Sequence, residues 1–148
     1  MINFTDSLQL GLQSALDRER NFTEIHDIFA ALKEQLFLFS KGSVTLEMII
    51  KNENSEENGE SVDYLTTLEG LYEDKFLYVS PTYNLNENYQ YLGTINFSPN
   101  GYPCTLESEG NQFDSIDKIG LEENIKKLIS SPSTGQKLFG IMKMAGKI

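Results

Sequence analysis

Residues 89–107 read Tyr89-Gln90-Tyr91-Leu92-Gly93-Thr94-Ile95-Asn96-Phe97-Ser98-Pro99-Asn100-Gly101-Tyr102-Pro103-Cys104-Thr105-Leu106-Glu107. Two runs rich in β-branched and aromatic residues, Tyr89 to Phe97 and Tyr102 to Glu107, flank Ser98-Pro99-Asn100-Gly101. In that tetrapeptide proline presets φ and Asn-Gly tolerates positive φ, so the stretch predicts a β-hairpin. Its surroundings predict more strands of the same antiparallel kind. Phe76 to Ser80 is one, closed by Pro81 and reached from Tyr64 to Leu71 through a turn at Glu73-Asp74-Lys75. Ser43 to Lys51 alternates, with Val44, Leu46, Met48 and Ile50 on one face and Thr45, Glu47, Ile49 and Lys51 on the other, as a half-buried strand does. Glu109-Gly110-Asn111 is a further turn that returns a short strand through Phe113. Residues 52–61 carry no apolar side chain and read as a solvated loop, and residues 82–88 read as an Asn-rich one.

Outside this sheet the period becomes helical. Leu8, Leu12, Ala15 and Leu16 share a face behind Asp6-Ser7, and Phe22, Ile25, Phe29, Leu32, Leu36 and Phe39 continue it up to Lys41-Gly42. A single rod over 6–40 would measure about 52 Å at 1.5 Å per residue. A compact domain of this length spans about 38 Å. The reading therefore favours a helix pair broken near Arg20-Asn21-Phe22-Thr23, with Asn21 or Thr23 as N-cap, over one rod that protrudes and pairs with a second copy. After Ser115, Ile119, Leu121, Ile125, Leu128 and Ile129 form an amphipathic stripe, with Glu122 and Glu123 early and Lys126 and Lys127 late. Ser131-Pro132 is an N-cap followed by proline at the first helical position, and Leu138, Ile141, Met142 and Ala145 form the buried stripe of a last helix. The expected fold is a single α+β domain over 1–148: helical 6–40, a four- to five-stranded antiparallel meander over 43–114, and helices over 115–146.

The chain has 148 residues, one His, one Cys and a formal charge of −10. Residues 1–41 hold four basic and six acidic side chains, residues 42–117 two and fourteen, and residues 118–148 six and two. The segment charges of −2, −12 and +4 place all the excess in the middle. Such a chain repels phosphate backbones and anionic lipid, so neither nucleic acid nor membrane is an expected partner. The lone Cys104 forms no internal bridge, and Met1-Ile2-Asn3-Phe4-Thr5-Asp6 lacks the basic start and apolar run of a secretory signal. A reducing, cytoplasmic setting is the expectation.

Catalytic motifs are scarce. One His and one Cys build no zinc site, and nucleophilic catalysis would have to run through His26, which sits beside Ile25 in a helix as a structural residue does. Cys104 reads as a small buried hydrophobe. No Gly-rich phosphate loop, Walker lysine or Gly-x-Ser-x-Gly elbow occurs, so no cofactor is expected. An EF-hand alignment on Asn54, Glu56, Asn58 and Gly59 fails at the twelfth position, Leu65. Glu107, Glu109 and Asp114 gather at a turn, which leaves an acidic, divalent-ion enzyme as one alternative.

All seven tyrosines lie in the acidic middle, and tyrosine offers contact area at low entropy cost. Small size, acidity and clustered tyrosines fit a protein-binding module, most concretely an intracellular inhibitor of the immunity or antitoxin type. Its basic partner would be a toxin, nuclease or effector, met through Glu53, Glu56, Glu57, Glu60 and Asp63 on the loop and Tyr89 and Tyr91 on the sheet. A dimeric secretion chaperone or adaptor shares the profile, so both monomer and homodimer fit.

Overall fold

The computed structural model describes residues 2–51, 68–83 and 89–148. Within them helix α1 (Thr5–Phe39) precedes strand β1 (Val44–Ile50), a helical turn α2 (Leu68–Leu71) and strands β2 (Lys75–Pro81), β3 (Gln90–Ser98), β4 (Gly101–Ser108) and β5 (Asn111–Ser115). Helices α3 (Lys118–Ile129) and α4 (Pro132–Met144) follow. The five strands form one sheet in the order β1-β2-β3-β4-β5, every neighbouring pair antiparallel. This is the α+β meander that the alternation and turn chemistry predict.

The hairpin joins β3 to β4 at Pro99-Asn100. Gly101 has φ +93°, and a Cβ there would lie 3.1 Å from the Cβ of Asn21, so glycine serves both the turn and the close passage of α1 over it. Gly93 is constrained differently. A Cβ at that position would stand 2.6 Å from the carbonyl oxygen of Glu107 on the neighbouring strand.

Three expectations are corrected. The break favoured near residues 20–23 does not occur, because that stretch is where α1 is held. Arg18 donates to the carbonyl of Pro99 at 2.7 Å, and the Asn21 amide donates to that of Asn100 at 3.0 Å, leaving Asn21 no role as a cap. Phe22 is buried edge-on against Tyr72 and Phe97. The rod therefore stays whole at 35 residues, and its first half runs past the sheet with Leu8, Leu12 and Leu16 more than half exposed. Second, the strand expected at Tyr64 to Leu71 is not one at its described end, where Leu68–Leu71 is a helical turn. Third, Ile119 is exposed at the start of α3, whereas Leu121, Ile125 and Leu128 are buried as expected.

The helix ends follow local chemistry. α1 stops in a Schellman arrangement, with Gly42 N–H donating to Phe37 O at 2.8 Å and Lys41 N–H to Leu38 O at 3.1 Å, while Lys41 itself takes φ +56°. Asp117 caps α3 by accepting from the Gly120 amide at 2.8 Å. Ser131 caps α4 ahead of Pro132, as the sequence indicates. The core lies between the helices and one face of the sheet. Ile25 and Phe29 of α1, Leu121 and Leu128 of α3 and Ile141 of α4 meet Val44, Leu46, Leu77, Val79, Ile95, Cys104 and Leu106.

Candidate protein-docking face

Strand alternation leaves a second set of side chains on the face turned away from the helices. In β1 and β2 the pairs Leu46–Val79 and Met48–Leu77 point inward, so Glu47 with Tyr78 and Ile49 with Phe76 take the other face, where Ile49 is buried and Glu47, Phe76 and Tyr78 are half-buried. An irregularity in register between Leu77 and Tyr78 then sets Tyr78 opposite Tyr91 on β3. The ring centroids of Tyr78 and Tyr91 lie 5.7 Å apart, and those of Tyr78 and Tyr89 lie 6.1 Å apart. Phe76 stands 6.4 Å from Tyr78 and 6.2 Å from Tyr91, all in edge-to-face geometry. The Tyr91 hydroxyl and the Thr94 Oγ1 share a hydrogen bond of 2.5 Å.

Carboxylates flank this aromatic cluster. Glu47 pairs across the strand with Tyr78, and burial with the nearby negative charge of Glu47 raises the Tyr89 hydroxyl pKa above its ordinary value. On the other side Glu107 pairs with Gln112, and Asp114 accepts from the Thr105 hydroxyl at 2.7 Å. A hollow of about 350 Å³ opens beside Tyr91, bounded by Glu107, Glu109 and Gln112. Lys51, whose ammonium lies 3.5 Å from Asn96 Oδ1, is the cation at this face's edge.

The two ion pairs among the described residues, Arg20–Asp17 at 3.2 Å and Lys126–Glu123 at 3.2 Å, both lie along helices. The basic end of the chain does not turn its lysines to the sheet's outer face. Lys118, Lys126, Lys127 and Lys143 stand exposed on the helical layer, and Lys137 reaches only the main-chain oxygen of Tyr91, at 2.5 Å. The helical side also carries acids, with Glu19, Glu24, Asp27 and Glu122 lining its groove beside Arg20, Lys118 and Lys126.

Of the expected contact residues, Tyr89 and Tyr91 meet on one face through Tyr78. Glu53, Glu56, Glu57, Glu60 and Asp63, and the Asn54-Glu56-Asn58 alignment, lie outside the described residues. Phe76, Tyr78, Glu47 and Glu107 join the face without having been singled out as contacts. Their parity was readable from Leu77 and Val79 facing the core, but the register that sets Tyr78 against Tyr91 was not. The other described tyrosines serve the helical side. Tyr72 lies under the Arg18 guanidinium at 3.9 Å, Tyr83 donates to Ile141 O at 3.4 Å, and the Tyr102 hydroxyl donates to Glu24 at 3.0 Å. Burial, then that hydrogen bond, raises the Tyr102 pKa.

His26 and Cys104, the one histidine and the one cysteine, are both buried. His26 is 2% exposed, with Nδ1 2.8 Å from Phe22 O. Burial, and then the charge of Lys75, lower its pKa to about 4. Burial pushes the Cys104 thiol up to about 12. Among the described residues no three His, Cys, Asp or Glu side chains come together as metal ligands, Glu107, Glu109 and Asp114 included. No described helix is long and apolar enough to cross a membrane.

The helical side carries its own concavity. A groove of about 720 Å³ runs between α1 and α3 from Leu16 to Ile129, and a hollow of about 530 Å³ continues from it over Leu46, Val79 and Leu92 toward Leu138 and Met142. No protein-family model, curated protein or solved structure matches the chain.

Proposed function

We propose that the chain is a protein-binding module, an inhibitor of the immunity or antitoxin type that acts in the cytoplasm by capping a basic toxin, nuclease or effector. One observation carries this reading: Tyr78, Tyr89 and Tyr91 cluster between Glu47 on one side and Glu107 and Asp114 on the other, on the sheet face opposite the exposed lysines of α3 and α4. Rigid aromatic side chains supply contact area, and carboxylates around them steer a cationic partner and reject an anionic one. The hollow beside Tyr91 has the size and charge to seat an arginine or lysine side chain of that partner. The continuous α1 favours a second reading, a dimeric secretion chaperone or adaptor, which would hold an extended segment of its client and leave no folded partner inhibited.

The test is stopped-flow association with a basic toxin, nuclease or effector that co-purifies with the chain. From about 50 to 300 mM salt the association rate should fall about tenfold or more, and the combined Glu47→Gln, Glu107→Gln and Asp114→Asn variant should be slow already at low salt. The complex should suppress the partner's activity. A rate indifferent to salt and to these substitutions would overturn the reading, and a client bound without any loss of activity would favour the chaperone.

A further inference from the structure

On the helical side, the hollow between α1 and α4 reaches down to the core. Its floor is Leu46, Val79 and Leu92, one residue from each of β1, β2 and β3 and none more than 4% exposed. Phe39, Phe139 and Ile148 ring its mouth at 71%, 50% and 64% of full exposure. Among the described residues no Asp or Glu lines it, and of its two polar side chains, Gln35 and Thr134, the latter already donates to Leu128 O at 2.9 Å. Its volume of about 530 Å³ falls in the range of about 300–1,000 Å³ usual for small-molecule sites, which are concave and mostly apolar. An apolar recess holds water poorly and takes apolar matter instead.

We propose that this recess binds a single-chain anionic amphiphile, a long-chain fatty acid, with its hydrocarbon chain over Leu46, Val79 and Leu92 and its carboxylate at the mouth beside Lys143 and Lys147. Size and charge select that occupant. A helix about 10 Å across would fill such a volume with about 7 Å of its length, little more than one turn, whereas a flexible hydrocarbon chain can follow the recess to its floor. Residues 132–148 carry Lys137, Lys143 and Lys147 and no acid. The Lys143 ammonium stands 5.6 Å from the centre of the Phe139 ring, and the Lys147 main-chain N–H donates to Met142 O at 2.9 Å, which keeps the adjoining Ile148 at the mouth. Lys137 is engaged by Tyr91 O. Lys143 and Lys147 belong to neither of the two ion pairs among the described residues, so their charge is available to a carboxylate. The recess lies across the sheet from Tyr78 and Tyr91 and does not depend on what that face binds.

Fluorescence titration of the full chain with cis-parinaric acid, a fluorescent polyene fatty acid, tests this. The signal should saturate at one probe per chain. Saturated carboxylates should displace the probe about three- to fourfold more tightly per added methylene until the recess is full. Dodecyltrimethylammonium should compete about tenfold or more weakly than laurate, although the net charge of −10 would by itself favour the cation. The double variant Lys143→Glu, Lys147→Glu should reverse that order with far-UV circular dichroism unchanged, since both positions are exposed. Gly135→Phe should abolish binding without loss of helix, because a Cβ at that lining position meets nothing within 4 Å. No saturable binding, binding that Gly135→Phe leaves intact, or preference of the wild-type chain for the cation would overturn the proposal. So would capture by anionic phospholipid vesicles, or a doubling of mass in sedimentation, with no binding of the free fatty acid, since these would give the recess to a membrane or to a second copy.

Discussion

The side-chain amide of Asn21, near the middle of α1, donates to the main-chain carbonyl of Asn100 at the tip of the β3–β4 hairpin, at 3.0 Å. Residues 79 apart in sequence thus fix where the helix leaves the sheet. With the Arg18–Pro99 bond beside it at 2.7 Å, this contact marks the end of the docked half of α1 and the start of the projecting half.

Loosening that contact should cost stability while leaving the sheet intact. Asn21→Ala removes one hydrogen bond and should lower the unfolding free energy by about 1 kcal/mol. Arg18→Ala loses a hydrogen bond and the guanidinium stacked on Tyr72, about 1–2 kcal/mol. Urea denaturation followed by circular dichroism measures both, and wild-type midpoints would show that the hairpin does not hold the helix.

Two glycines should respond in opposite directions. Gly93→Ala drives a methyl group to 2.6 Å from Glu107 O, where backbone cannot give way cheaply, and should destabilise by about 2 kcal/mol or more. Gly140→Ala, in the interior of α4 with nothing within 4 Å of the new carbon, should stabilise by about 0.5–1 kcal/mol. Thermal melts of the two variants side by side decide the matter.

Acid should unfold the chain partly through His26. Its folded pKa is about 4 against an ordinary 6.5, because burial and the Lys75 charge disfavour the imidazolium. Between those values the unfolded chain binds a proton that the folded chain refuses. Stability is therefore complete above pH 6.5 and declines as pH falls toward 4, by about 2–3 kcal/mol in all. His26→Gln should flatten that decline. Urea midpoints at pH 7.5, 5.5 and 4.5 separate the His26 contribution from that of the carboxylates, which both proteins share.

Cys104 should be inert while the chain is folded. It is fully buried, with a thiol pKa near 12, so Ellman's reagent at pH 8 should modify it only at the rate of opening, and at once in denaturant. Fast modification of the native protein would show that β4 is accessible.

Much of the fold was legible because it rests on local rules. Pro99-Asn100-Gly101, the alternation of Val44, Leu46 and Met48, and the Ser131-Pro132 cap each encode their element within a few residues. The site was legible only as an inventory: tyrosines and carboxylates concentrated in the middle of the chain, with Tyr89 and Tyr91 on one strand face. Asp117 as the cap of α3, with its bond to the Gly120 amide, follows the same local logic, an Asp just ahead of the apolar stripe.

Register and long-range docking were not encoded locally. The displaced pairing at Leu77 and Tyr78 decides that Tyr78 stands opposite Tyr91, and alternation alone cannot supply a shift of one residue between strands. Likewise the stretch Arg20-Asn21-Phe22-Thr23 offers a capping residue and so reads as a break, but hydrogen bonds to Pro99 and Asn100 and the burial of Phe22 against Tyr72 and Phe97 hold it helical. The amino-acid sequence determined the elements, their order and the excess of negative charge, because these follow from turn chemistry, periodicity and counting. Tertiary structure alone decided that the rod is unbroken and that Glu47, Tyr78, Tyr91 and Glu107 share a face, because both depend on contacts between residues far apart in the chain.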